Sequence, residues 1–196
     1  MNVSEFLAKE IINNKTQCKL NMILTGGGTL AISELLKHGG ASNILEMAAI
    51  PYGQESLQTL LGFKPTKAVS SDVAYGLVAD FVKGLTVSCT ASLRKNGDER
   101  AGRIHEAYIG YNNGVVIDVY HVVFNANRTR EQEEELLATI ILAGIDQYVN
   151  LRKMSIVDSI AYTAKIQKEQ MGYSHLDWSD KDKIEIVMFN GVNLKQ

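Results

Sequence analysis

Three groups of residues in this chain have the types and spacing for chemistry. The first is Thr25-Gly26-Gly27-Gly28, which ends the apolar run "NMIL" and precedes a helical pattern at "TLAISELLKHG". A glycine-rich turn between a strand and a helix brings backbone N–H groups close to a guest. The helix N-terminus adds partial positive charge, so phosphate or another oxyanion is the natural guest. Thr25 could donate its hydroxyl or cap the helix. The turn lacks the Lys of G-x-x-x-x-G-K-[ST], the spacing of G-x-G-x-x-G and the Ser of G-x-S-x-G. A tight turn with close helix-strand packing explains it as well. The second group is His105 and Cys89, each a candidate catalytic group with a plain alternative. A lone strand histidine is often structural, with His121 and Arg103 as possible partners, and a lone cysteine is often a small buried hydrophobe. The third is Arg94, Lys95, Arg100 and Arg103, which either line an anion pocket or form a solvated loop with Asp98 and Glu99. Cys18 and Cys89 have no metal spacing, so no metal and no cofactor are expected, and the thiols should be reduced and buried.

Alternating helices and strands must position these groups. Val3, Phe6, Leu7, Ile11 and Ile12 mark an opening helix, with Ser4 as a possible cap. "CKLNMILT" predicts a strand, and Gly39-Gly40 should stop the helix after the glycine turn. "EMAAIPY" predicts a buried strand and "GQESLQTLLGF" a short helix ended by Gly62. "SSDVAYGLVADFVKG" predicts a longer helix capped by Ser70 or Ser71, with Val73, Leu77, Val78 and Phe81 facing the core. "LTVSCTAS" is rich in β-formers. Asn112-Asn113-Gly114 predicts the turn of a hairpin across "RIHEAYIGYNNGVVIDVYHVVF". "NRTREQEEELLATIILAGIDQYVN" predicts the firmest helix, with capping-box spacing at Thr129 and Gln132. Its Glu133 to Glu135 should be a solvated start. From about Met154 the chain reads as a helix, a polar connection and a strand at "IEIVMF", with Trp178 as an anchor to the domain or to a second subunit.

These elements predict a three-layer α/β/α sandwich around a mixed, about five-stranded sheet. The 196 residues suffice for one domain spanning 1–196, with a core at about 20–150 and an extension at about 154–196. Apolar residues make up 45% of the chain and the formal charge is −2, which point to a globular protein with no nucleic-acid or polybasic membrane partner. No apolar run approaches the roughly 20 residues of a membrane span, and the N-terminus reads as an amphipathic helix, so the cytoplasm is the expected compartment.

From about Leu20 to Val149 the chain resembles the C-terminal domain of the competence-damage-inducible (CinA) family. The family pattern E-S-C-T-G-G falls on Met22-Ile23-Leu24-Thr25-Gly26-Gly27. "GGASNILEMAAIPYGQESLQTLLGF" resembles P-G-[AS]-S…Y-S-N-E-A-K-…-L-L-G. "KAVSSDVA" resembles G-A-V-S-x-E-V-A, "VSCTAS" the strand ending in V-T-G-I-A-G, and "FNANRTREQEEE" the F-x-G-x-R start of the last helix. A eukaryotic branch, in plants joined to an adenylyltransferase-like domain, is similar at V-P-Y-S, R-T-R-E-E-E and R-x-H. Here Ile50-Pro51-Tyr52-Gly53, Arg128-Thr129-Arg130-Glu131 and Arg103-Ile104-His105 match those patterns.

The resemblance implies a five-stranded mixed sheet, a homo-oligomer and nicotinamide-mononucleotide amidohydrolase ancestry. It also exposes a loss. The family's serine nucleophile falls on Ile23 and its activating lysine on Leu57, and neither side chain can move a proton. The positions that survive are Thr25, Gly26, Gly27, Tyr52, Thr90 and Arg128, which the resemblance assigns to an anion or nucleotide pocket. The expectation is a catalytically degenerate domain that binds a nucleotide-like or phosphate-bearing small molecule. The alternatives are a hydrolase using another group, such as His105 or Cys89, and a purely structural or oligomerisation module.

Overall fold

A computed structural model describes residues 2–14, 16–96, 102–171 and 178–194. Seven strands are found among them: β1 (Leu20–Thr25), β2 (Leu45–Ala49), β3 (Leu85–Ser92), β4 (Glu106–Asn112), β5 (Ile117–Val123), β6 (Lys183–Phe189) and the two-residue β7 (Val192–Asn193). They form one sheet of order β2-β1-β3-β4-β5-β6-β7. β2, β1 and β3 run parallel, and the rest is an antiparallel meander, so the sheet is mixed. The first five strands supply the expected five, and the extension adds β6 and β7 at one edge.

Helices α1 (Val3–Ile12), α2 (Leu30–Leu36), α5 (Arg130–Val149) and α6 (Ile156–Met171) pack together on one face. The period of two along each strand decides what they bury. Met22 and Leu24 of β1 point to this side and join a large core with Leu7, Leu35, Ile141 and Ile160. Ile23 points to the other face, where it meets Leu57 of α3 (Gln54–Leu61) and Val73 of α4 (Ser71–Gly76). Trp178 packs on the large core, so it anchors the extension to the domain.

The locally encoded caps form as read. Thr129 and Gln132 make both bonds of a capping box, Ser70 accepts from the Val73 amide, and Gly62 ends α3 at φ 74°. Four expectations need correction. Asn2, not Ser4, accepts from the Glu5 amide at the start of α1. β2 is not buried: as the sheet's edge strand it exposes Glu46, Met47 and Ala48. The helix expected across residues 71–83 stops at Gly76. Beyond it the Val78 and Phe81 amides bond three residues back, and the Asn112 side chain donates to the Val78 and Phe81 carbonyls. Those long-range bonds hold Leu77 and Val78 in the core without a helix. Finally, Glu133 is fully buried and Glu134 half-buried, so α5 does not begin as a solvated acidic face.

Candidate functional site

β1 lies between β2 and β3, and its two crossovers leave on opposite faces. The link from β1 to β2 runs through α2 on the α5 side, whereas the link from β2 to β3 runs through α3 and α4 on the other. The carboxyl ends of β1 and β3 are therefore the switch point of the parallel part of the sheet, where open α/β folds leave a crevice. A cleft of about 400 Å³ opens there. Its floor is Thr25 and Gly26 after β1 with Thr90 and Ala91 of β3, Thr25 and Thr90 being register partners. Tyr52, Gln54, Leu57 and Gln58 form one wall, and the segment Pro65–Val69 supplies the other through Pro65, Thr66, Ala68 and Val69.

That second wall is tied down at two points. The Thr90 hydroxyl donates to the Ala68 carbonyl at 2.7 Å, and the Lys67 ammonium donates to Glu106 at 2.8 Å. Glu106 also bonds His121 Nε2 at 2.8 Å, and the His121 ring stacks on Tyr108. Burial pushes the Glu106 carboxyl up, but the Lys67 and His121 hydrogen bonds outweigh it and hold the group below its ordinary range. The Thr25 hydroxyl makes no hydrogen bond among the described residues, and it lines the cleft.

The glycine turn serves the opposite face. The Gly28 amide donates to Glu134 Oε2 at 2.7 Å, and the Leu30 amide and Thr29 hydroxyl donate to Oε1 at 3.1 and 3.2 Å. An anion does sit on these donors, and it is the chain's own carboxylate. The glycines also answer a packing need. Gly26, at φ 76°, leaves no room for a Cβ against the Ala91 carbonyl, and a Cβ on Gly27 would press on Leu93 at 2.7 Å. Both explanations of the motif hold together: the turn is tight, and its donors are satisfied from within.

The remaining candidate residues separate. Thr25, Gly26, Tyr52 and Thr90 line the cleft together. Gly27 is not among the lining residues, nor is Arg128, whose guanidinium pairs with Asp182 where neither side chain is more than 1% exposed. Ile23 and Leu57 belong to one apolar cluster with Val73 and Leu77. Cys89 is fully buried, and burial followed by the nearby Glu134 charge raises its thiol far above the ordinary range, so it presents no thiolate. Both cysteines are free thiols, Cys89 buried and Cys18 half-buried. His105 bonds fully buried Glu133 through Nδ1 at 2.6 Å, and the same carboxylate accepts from the Arg94 amide at 2.6 Å. His105 is thus part of a buried brace under α5, not part of the cleft. Arg103 donates to the Ser92 hydroxyl and the Leu93 carbonyl, both at 2.9 Å. Arg100, Asp98 and Glu99 lie outside the described residues. Among the described residues no cluster of His, Cys, Asp or Glu could hold a metal, and no helix is long and apolar enough to cross a membrane.

An open, mixed α/β sandwich with a cleft at its switch point is the class this geometry defines. Solved structures specify it further. A CinA-superfamily protein from Klebsiella pneumoniae superposes with a TM-score of 0.60 over 76% of this chain and 97% of its own, at 11% identity. One from Escherichia coli gives 0.57 over 74% and 88%, at 16% identity. The competence/damage-inducible protein CihA of Agrobacterium tumefaciens gives 0.54 over 82% and 97%, also at 16%. The chain has the fold of the CinA superfamily. No protein-family model and no curated protein sequence matches it.

Proposed function

We propose that this chain is a CinA-like domain that no longer deamidates nicotinamide mononucleotide and keeps its switch-point cleft as a binding site for a nucleotide-like small molecule. One observation carries the reading: Ile23 and Leu57, which the resemblance sets at the positions of the nucleophile and its activating base, lie in one apolar cluster, while the cleft that Leu57 lines stays open. Among the described residues the lining includes no Ser, Cys, His, Lys or carboxylate. Its threonines have no base among the lining residues to take their proton. The volume lies within the about 300–1,000 Å³ of small-molecule sites. Thr25, Tyr52, Gln54, Gln58 and Thr66 bring hydrogen-bonding groups above the apolar surface of Leu57, Val69 and Ala91.

Calorimetric titration with nicotinamide mononucleotide, paired with an ammonia-release assay, tests both halves. Binding in the millimolar range or tighter with no ammonia is expected. Release of ammonia by the unaltered protein overturns the catalytic half, and absence of binding overturns the other. Ile23→Ser with Leu57→Lys is the smallest change that could restore the family's pair. A purely structural role is the second reading. It is favoured by the occupation of the glycine turn by Glu134, and the same absence of binding would select it.

A further inference from the structure

We infer that the cleft recognises the phosphate-free part of its ligand, a nucleoside-like or amide-bearing group, and gains nothing from a phosphate. This deepens the small-molecule reading above and rests on it. The charge inventory carries it. None of the described lining residues is charged at neutral pH. Several basic side chains near the cleft in sequence or in contact hold other groups. Lys67, between lining residues Thr66 and Ala68, is held on Glu106. Arg130, whose guanidinium reaches the Gly26 carbonyl at 3.2 Å, also donates to the Arg94 carbonyl at 3.1 Å. Arg103 spans Ser92 and Leu93, and Arg128 is sealed against Asp182. Lys64, next to Pro65, lines the neighbouring hollow together with Glu55.

The backbone donors tell the same story. The Gly28 and Leu30 amides, which would meet a phosphate in a working cradle, face the α5 side and hold Glu134. A phosphate in the cleft would find no cation among the described lining residues and no converging amides from this turn. It would also approach a carboxylate seated directly behind the turn. Desolvating a dianion against neutral groups is unfavourable. What the cleft does offer is the donor and acceptor of two carboxamides, Gln54 and Gln58, with the Thr25 hydroxyl below them and the Tyr52 ring beside them. Those groups complement the edge and face of a heteroaromatic amide or nucleobase.

Nicotinamide riboside and nicotinamide mononucleotide differ by the phosphate alone, so the ratio of their dissociation constants isolates its contribution. The riboside is expected to bind as tightly as the mononucleotide within about threefold, or more tightly. Tighter binding of the mononucleotide by more than that margin overturns the inference and leaves the small-molecule reading standing. Binding of neither overturns both. Gln58→Lys, a half-buried position on the cleft wall, supplies the missing cation. It should shift the ratio toward the mononucleotide by roughly tenfold, an effect that 1 M salt suppresses. An unchanged ratio would place the phosphate beyond the cleft, which agrees with a cleft that gains nothing from it.

Discussion

On the α5 side of the sheet, the donors after the glycine turn converge on Glu134, while Glu133 takes His105 and the Arg94 amide. On the α3 side, three residues before Gly28, the Thr25 hydroxyl faces a cleft with no hydrogen-bond partner among the described residues. The same strand end feeds both faces. One has been closed by internal carboxylates that do the work of a ligand, and the other has kept room. The contrast teaches where a diverging fold can change cheaply. Polar groups that are buried must be satisfied by something, and here a neighbouring helix supplies the anion. An open crevice needs no replacement, because water satisfies its groups.

Substitutions can break this contrast. The largest loss is expected from Arg128→Met, which strands the buried Asp182 carboxylate. A cost of about 3–5 kcal/mol is expected by denaturant unfolding. Adding Asp182→Leu should recover only part of it, because Asp182 also accepts from the Asn125, Ala126 and Ser179 amides. Next comes Gly26→Ala, at about 2–4 kcal/mol, since the new Cβ meets backbone and the φ is positive. Glu134→Ala empties the satisfied face and should cost about 2–3 kcal/mol while leaving the cleft's ligand affinity nearly unchanged. Thr25→Val is the opposite test: a stability change of less than about 1 kcal/mol with a clear loss of affinity. Equal effects of these last two variants on binding would erase the distinction between the faces.

Acid sharpens it in a different way. Burial raises Asp182, but the Arg128 pair and three backbone amides bring it below its ordinary range, and Glu106 is lowered too. A depressed folded-state value contributes stability that is complete above the unfolded carboxylate range of about 4 and disappears as pH falls through the folded value. Lys67 is shifted up by its bond to Glu106, so its contribution holds below about 10.4 and is lost at higher pH. Stability from these groups should be level through neutral pH and fall on the acid side, with a shallower acid slope in Asp182→Asn.

How legible this was depended on distance along the chain. Thr129 and Gln132 are three residues apart, so the capping box could be read directly. Ile23 and Leu57 lie 34 residues apart, and the sheet and α3 bring them into one apolar cluster. The end of α4 could not be read, because the Asn112 side chain that replaces its last turn is more than thirty residues away. Glu133 looked solvated for the same reason: its partners lie 28 and 39 residues upstream. The exposure of β2 depended on its place at the sheet edge, which its Ala-rich sequence does not announce. Of the candidate site, the residues contributed by strand ends were found, whereas Gln54, Gln58 and Thr66 were missed. They are ordinary polar residues whose position on a cleft wall comes from the path of the α3–α4 connection.

The Arg128–Asp182 pair also sets a clock on synthesis. Chains are made from the N-terminus, so the guanidinium leaves the ribosome some fifty residues ahead of its counter-ion. Asp182 must be in place before this ion pair can form, so the start of α5 gains it only after the segment leading into β6 has been made.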